Sequence, residues 1–440
     1  YKKYYLVILM GDLNINVKNG MKTIGDNTQN VLSFVGTNIL QQKNPEEKTV
    51  EILIYIIIAM VIVIFLVWAY SVSTLETRDC DNLNYIYNET DTHIQSICNR
   101  ALGDKYVAVN DLFDGAHSIV NAYYIKTAYN CCSPGNFKNS FVSICALKKV
   151  INLGARCLDF EVYSENQKPV VATAIVPDSL YDSFYIKQTF NSIDLVDVLY
   201  TIYYFAFNTD NGGAPNSNDP LFIHLRIMTN ELNTINLIAK YISDILGDKL
   251  LGINYGNNNY GVSLGNFRIL EFCNKCVIMV ESNTLNSNNI VSSNLYPLIN
   301  ILTNSENCRS LRYTQLKNQD SAELTSFNKY RMSIVLPDLS PDSSNYDPTV
   351  AFHTGCQFIG MNFQNFDTNL EFYFNIFDEL KYSFVIKPCA LRYIPVHYLI
   401  DPVPVQATGV ADSISRSSSR GGTDTSVTLN TAGHIAGLDG

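Results

Sequence analysis

Two carboxylates, Asp159 and Glu161, stand two residues apart in ARCLDFEVY, a run that alternates as a strand does. Side chains at i and i+2 of a strand share a face, so the pair could hold a divalent cation through its oxygens. Cys131-Cys132 could include a nucleophile, but a thiol needs a base or a positive neighbour to become a thiolate. No histidine lies between His117 and His224 to serve it. Cys273-x-x-Cys276 is a lone CxxC with no second pair, which does not complete a zinc site.

These residues need elements to position them. FVSICALKKVINLG has helical spacing and ends at Gly154, a C-cap residue. The carboxylate strand follows. SIDLVDVLYTIYYFAF reads as a helix, NGGAPNSNDP as a loop and LFIHLRI as a strand. ELNTINLIAKYISDILG is an amphipathic helix ending at Gly247, and CVIMVES is another strand. Strands alternating with helices argue for an α/β fold with parallel strands, and a stretch of this size suits one (β/α)8 barrel. His224 would then lie at the barrel mouth, or be a hydrogen-bonded structural histidine. Residues 284–322, rich in Asn and Ser, read as a surface insertion.

The chain has 440 residues, 11 cysteines and a formal net charge of -10. It shows no basic stripe interleaved with aromatics, so nucleic acid is excluded as a partner class. Its Asn, Ile and Tyr bias suits an AT-rich genome, such as that of a protist or a large DNA virus. Ile52 to Tyr70 carries no charge over 19 residues, roughly 28 Å as a helix, close to the hydrocarbon thickness. Trp68 and Tyr70 sit at one end, where amphipathic rings prefer the interface. A cleaved signal peptide is not expected, because the run is too long and starts well inside the chain. Before the span lie Lys2, Lys3, Lys18, Lys22, Lys43 and Lys48, whereas the first basic residues after it are Arg78 and Arg100. The positive-inside rule therefore predicts a cytosolic N-terminus and an extracellular or lumenal C-terminal part. All cysteines and the sequon Asn88-Glu89-Thr90 fall on that far side. Disulfides are allowed there, with Cys80 and Cys98 one candidate pair. Buried free thiols in a cytosolic domain are the alternative.

Further along, DSSNYDPTVAFHTGCQFIGMNFQ and FVIKPCALR resemble the Y box of phosphoinositide-specific phospholipase C. The matching residues are Pro348, Phe352, Gly355-Cys356-Gln357, Met361-Asn362-Phe363-Gln364 and Ile386 to Arg392. INLGARCLDFEVYSENQKPVV resembles the X box. The resemblance covers roughly 120 to 395. It implies a TIM barrel of the phospholipase C-like phosphodiesterase type, split by an X/Y linker, after a single transmembrane helix. The expected layout is a polar tail over 1–48, the span over 49–71 and a stalk over 72–118. An X-box half-barrel over 119–283, the linker over 284–322, a Y-box half-barrel over 323–400 and a disordered tail over 401–440 complete it. Cys157 and Cys356 stand where the family also has cysteine, which implies core thiols.

The family cleaves a phosphodiester with two histidines and a Ca²⁺ held by carboxylates and an asparagine, and binds ring phosphates with Lys and Arg. The first histidine position holds Tyr129, followed by a retained Asn130. The calcium pair becomes Asp159-x-Glu161, acidic but with exchanged lengths. The second histidine position holds Thr173. The last calcium carboxylate aligns with Arg226, which would repel a cation and could pair with Asp159 or Glu161. The lysine positions hold Val280 and Ser282, and Ser333 to Pro337 lacks the family's Arg and stacking Tyr. The resemblance thus implies a membrane-anchored phospholipase C-like pseudoenzyme that acts as a binding or scaffold module and needs no cofactor. Its partners would be the membrane, through residues 50–70, and a lipid head group or a protein. The alternative is an active phosphodiesterase on phosphatidylinositol lipids, with a rearranged Ca²⁺ site built from Asn130, Asp159, Glu161 and possible help from His224.

Overall fold

The computed structural model describes residues 45–88, 93–99, 119–175, 186–256, 263–281 and 286–393. The polar tail expected over 1–48 (apart from its last residues), the tail over 401–440, the end of the Y-box half, Ser282 and His117 lie outside them.

Helix α1, Pro45–Ser73, contains a stretch from Lys48 to Ser73 long and apolar enough to cross a membrane, and none of it is buried by protein. It lacks the polar stripe that a core helix of this length would show. Helix α2, Leu75–Ile86, follows almost directly.

Eight parallel strands then form a nearly closed barrel. They are β1 Tyr123–Ala128, β2 Cys157–Glu165, β5 Leu221–Met228, β6 Cys276–Glu281, β7 Ile301–Thr303, β8 Cys308–Arg312, β9 Met332–Leu336 and β10 Phe358–Met361. Their order is β7-β6-β5-β2-β1-β10-β9-β8, and the two ends of this ladder are successive in the chain. A hairpin of β3 Lys168–Val171 and β4 Ile193–Asp194 extends β2, and β11 Phe384–Ile386 pairs antiparallel with β1. Helices α3 Ile144–Asn152, α4 Leu195–Ala206, α5 Leu232–Leu246 and α6 Ser287–Ser292 cover one part of the barrel. Helices α7 Tyr313–Lys317, α8 Ser321–Tyr330, α9 Thr349–His353 and α10 Thr368–Leu380 cover the rest. Helix α3 starts at an N-cap, Ser143, whose hydroxyl accepts from the Cys145 amide. It stops where Gly154 takes φ +79°, a conformation that costs glycine little.

Period-2 alternation sorts the strand residues into two cores. Cys157, Phe222, Met279, Ile334 and Phe358 fill the barrel interior, while Leu158, Ile223, Ile278, Val335 and Ile359 face the helices. The strands are buried on both faces, which is why several read as continuous apolar runs.

Three expectations are corrected. The segment expected as a surface insertion, 284–322, instead contributes β7, β8, α6 and α7 to the barrel. Strands of three and five residues are too short for alternation to stand out among Asn and Ser. The segment expected as a stalk packs on the barrel where it is described: Leu83, Tyr87, Ile94, Ile97 and Cys98 are buried. Cys80 pairs with Cys145 and Cys98 with Cys273, rather than with one another. Both bridges fasten this N-terminal strap to the barrel. Cys157 and Cys356 are buried free thiols.

Candidate active site

The C-terminal ends of the barrel strands carry a buried polar cluster, at the end where TIM barrels build their sites. Register explains who meets whom. Asp159 on β2 lies opposite His224 on β5, and Glu161 lies opposite Arg226. All four side chains are buried. The loop after β1 delivers Asn130 in a left-handed conformation, φ +44°, which Asn tolerates better than most residues.

The Arg226 guanidinium sits among the oxygens of Asn130, Asp159 and Glu161. Its Nε donates to Asp159 Oδ1 at 3.0 Å, and its Nη2 to Asp159 Oδ2 at 2.7 Å and Asn130 Oδ1 at 2.7 Å. Its Nη1 donates to Glu161 Oε1 at 2.6 Å. The carboxylate oxygens take further donors from the protein. Asp159 Oδ2 accepts from the Asn130 amide at 3.1 Å, and Asp159 Oδ1 meets His224 Nδ1 at 2.7 Å. Glu161 Oε2 accepts from the Tyr163 hydroxyl at 2.6 Å and the Ala174 amide at 3.0 Å.

Electrostatics follow from this packing. Burial alone would raise the Asp159 carboxyl, but the Arg226 charge and the His224 hydrogen bond hold it well below the usual carboxylate range. Burial alone would lower Arg226, but Asp159 above all pushes it well above its ordinary value. Burial and the neighbouring Glu161 push the Tyr163 hydroxyl well up, so it stays a neutral donor.

Tyr129 closes the cluster from the mouth. Its ring lies 4.6 Å from the Arg226 guanidinium carbon, and its hydroxyl accepts from Arg312 Nη1 at 3.2 Å. Gly360 on β10 is packed closely on β9: a Cβ there would lie 3.1 Å from Leu336 Cδ2 and 3.2 Å from the Val335 carbonyl, and at an ordinary contact distance from Tyr129. Thr173 is buried and donates to the Phe137 carbonyl at 2.9 Å, away from the carboxylates. His224 is fully buried, with Nε2 3.5 Å from Thr303 Oγ1. Val280 packs against the helices rather than into the interior. Ser333 donates to Asn328 at 2.6 Å.

The other sequence candidates separate. Burial pushes the Cys131 and Cys132 thiols up, which leaves them poor nucleophiles. Cys273 is bridged to Cys98, and Cys276 is a buried thiol in β6, so the CxxC does not act as a pair. Four participants were not foreseen. Tyr163 was legible, being two residues beyond Glu161 on the same face. Arg312 and the Ser310–Glu281 hydrogen bond at 3.0 Å lie partly in the segment read as insertion.

Comparison with known proteins bears on this geometry. The phosphatidylinositol-specific phospholipase C X domain matches residues 117–270, and the Y domain of the same family matches residues 275–390. The chain belongs to the phosphatidylinositol-specific phospholipase C family. Among solved structures, L. pealei PLC21 is 19% identical with a TM-score of 0.51, over 63% of this chain and 38% of that one. S. officinalis PLC21 is 18% identical with a TM-score of 0.51, over 66% of this chain and 39% of that one. Likeness at this identity shows the shared barrel, and this chain spans well under half the length of either protein. No curated protein matches this chain. Calcium, which the family resemblance implies, does not fit the residues present. The carboxylate oxygens are saturated by protein donors and a guanidinium already lies among them. No group of three or more His, Cys, Asp or Glu among the described residues is arranged to hold a metal.

Proposed function

We propose that this member of the phospholipase C family is a membrane-anchored, catalytically inactive protein whose barrel serves as a binding or scaffold module. The observation that carries the reading is the Arg226 guanidinium among Asn130, Asp159 and Glu161. Transphosphorylation within a phosphoinositide needs a base for the ring hydroxyl, an acid for the leaving oxygen and positive charge on the phosphoryl oxygens. Tyr129 and Thr173 occupy the positions aligned with the base and acid, and the Thr173 hydroxyl is committed to a backbone carbonyl. Arg226 is positive but fully buried, and four of its five N–H groups donate to the protein. The anchor is α1, and the barrel lies on the extracellular or lumenal side. The lysines before the span and the two disulfides after it support that orientation.

One contact favours a second reading. His224 and Asp159 are 2.7 Å apart, the geometry of a carboxylate-oriented imidazole base. A phosphodiesterase with a rearranged site would use that pair. Hydrolysis of phosphatidylinositol and its bisphosphate by the full chain in lipid vesicles, with and without Ca²⁺, separates the two readings. An inactive variant of a working phospholipase C gives the baseline. Turnover at that baseline is expected. Turnover above it that is lost in His224→Gln would establish the second reading.

A further inference from the structure

We infer that Asn88 is a site of N-linked glycosylation. This rests on the extracellular or lumenal placement of the barrel proposed above. Asn88-Glu89-Thr90 is an Asn-x-Thr sequon. The fold adds what the motif alone lacks, namely a fixed and accessible position for the asparagine. Helix α2 is fastened to the barrel by the Cys80–Cys145 bridge, by the buried Leu83 and by Tyr87. The Tyr87 ring is buried and its hydroxyl donates to the Phe363 carbonyl at 2.6 Å. Asn88, the next residue, is exposed. The chain is anchored again at the buried Ile94 and at Cys98, bridged to Cys273. Asn88 is therefore exposed directly after a pinned residue, and in sequence it is flanked by two cysteines whose bridges need an oxidising compartment.

Reach from the membrane is sufficient. Asn88 lies fifteen residues beyond Ser73, the end of α1 (88 − 73), and α2 supplies 12 of them. A helix of that length rises about 18 Å. The headgroup layer beyond the hydrocarbon is only about 5–8 Å thick on each side. Even an inclined α2 would carry Asn88 clear of it, within reach of a membrane-embedded transferase.

The reaction is a group transfer from a lipid-diphosphate-linked oligosaccharide. The Asn88 side-chain nitrogen bonds to the anomeric carbon of the first sugar and loses one proton to a base of the transferase. The bond from that carbon to the diphosphate oxygen breaks, and the lipid diphosphate leaves with the electron pair. No oxidant or reductant enters.

The test uses the full chain synthesised into sealed endoplasmic-reticulum microsomes. Peptide N-glycosidase should shift its mobility downward in one step. The shift should be absent from Asn88→Gln and Thr90→Ala and kept by Thr90→Ser. Added protease reports orientation in the same membranes. A barrel protected from protease but unshifted by the glycosidase overturns the Asn88 assignment and leaves the orientation standing. A digested, unshifted barrel overturns both. A shift that persists in Asn88→Gln also overturns the assignment.

Discussion

Arg226 and Asp159 meet through two parallel hydrogen bonds, Nε to Oδ1 at 3.0 Å and Nη2 to Oδ2 at 2.7 Å, with both side chains fully buried. Planar, paired contacts of this kind are what a guanidinium offers and a spherical ion does not. The arginine supplies positive charge at a place where the carboxylates and Asn130 would otherwise attract it from solution.

Replacing that charge should therefore reopen the site to cations. Arg226→Glu puts a third carboxylate beside Asp159, Glu161 and Asn130, an oxygen-rich set of the kind Ca²⁺ takes. Removing one partner of a buried pair costs about 3–5 kcal/mol, so the variant should melt well below the parent in chelator. Millimolar Ca²⁺ should raise its melting temperature and leave the parent unchanged. If calcium moves neither protein, the cluster is not a displaced cation site.

Acid stability should follow Asp159. Its carboxyl is held below the ordinary range in the folded state, and the unfolded value is about 3.9. The unfolded chain thus binds the proton first as pH falls. The stabilisation from this group is present in full above the unfolded value and is lost as pH drops toward the folded one. Urea unfolding from pH 6 to pH 2 should show the parent more stable than Asp159→Asn by a constant margin above about pH 5, narrowing below about pH 4. A margin independent of pH would mean that Asp159 acts through packing alone.

Much of this cluster was legible because strand geometry has a fixed period. Asp159, Glu161, His224 and Arg226 fall on inward positions once ARCLDFEVY and LFIHLRI are read as strands, and the register joins them in pairs. The same rule would have added Tyr163. Other features have no local signature. Cys80 finds Cys145 and Cys98 finds Cys273 because α2 and the segment after it fold back on the barrel, which only long-range packing decides. Arg312 reaches Tyr129 from β8, a strand too brief and too polar at its flanks to be recognised.

Lys387 should make the barrel more stable as pH rises above neutral. Burial lowers its ammonium to about 7, and its Nζ has the Asn328 carbonyl at 3.4 Å as a neutral partner. Between that value and the unfolded one, about 10.4, the unfolded chain binds more protons. Stability therefore rises with pH across this window. Lys126, also buried and lowered by burial despite Asp378 at 3.5 Å, acts in the same direction. Lys387→Met should flatten the profile between pH 7 and 10 and stabilise the protein at neutral pH by on the order of a few kcal/mol. An unchanged slope in chemical unfolding would show that the ammonium is already solvated.

The two bridges should contribute unequally and not additively. Cys80–Cys145 spans 65 residues and Cys98–Cys273 spans 175. Loop-closure entropy predicts about 4 and about 5 kcal/mol for opening each alone. The loops interleave, because residue 98 lies between 80 and 145, so closing one already restricts the other. Each single variant keeps the other bridge, so the double variant Cys80→Ser with Cys98→Ser should lose somewhat more than the sum of the singles. Cys80→Ser frees only α2 and the end of the anchor, and proteolysis should cut between Ser73 and Tyr87 while sparing the strands. Cys98→Ser releases the strap from the loop before β6 and should lower the melting temperature of the barrel itself. If both single variants unfold together with the parent, the strap is held by Leu83, Tyr87 and Ile94 rather than by its disulfides.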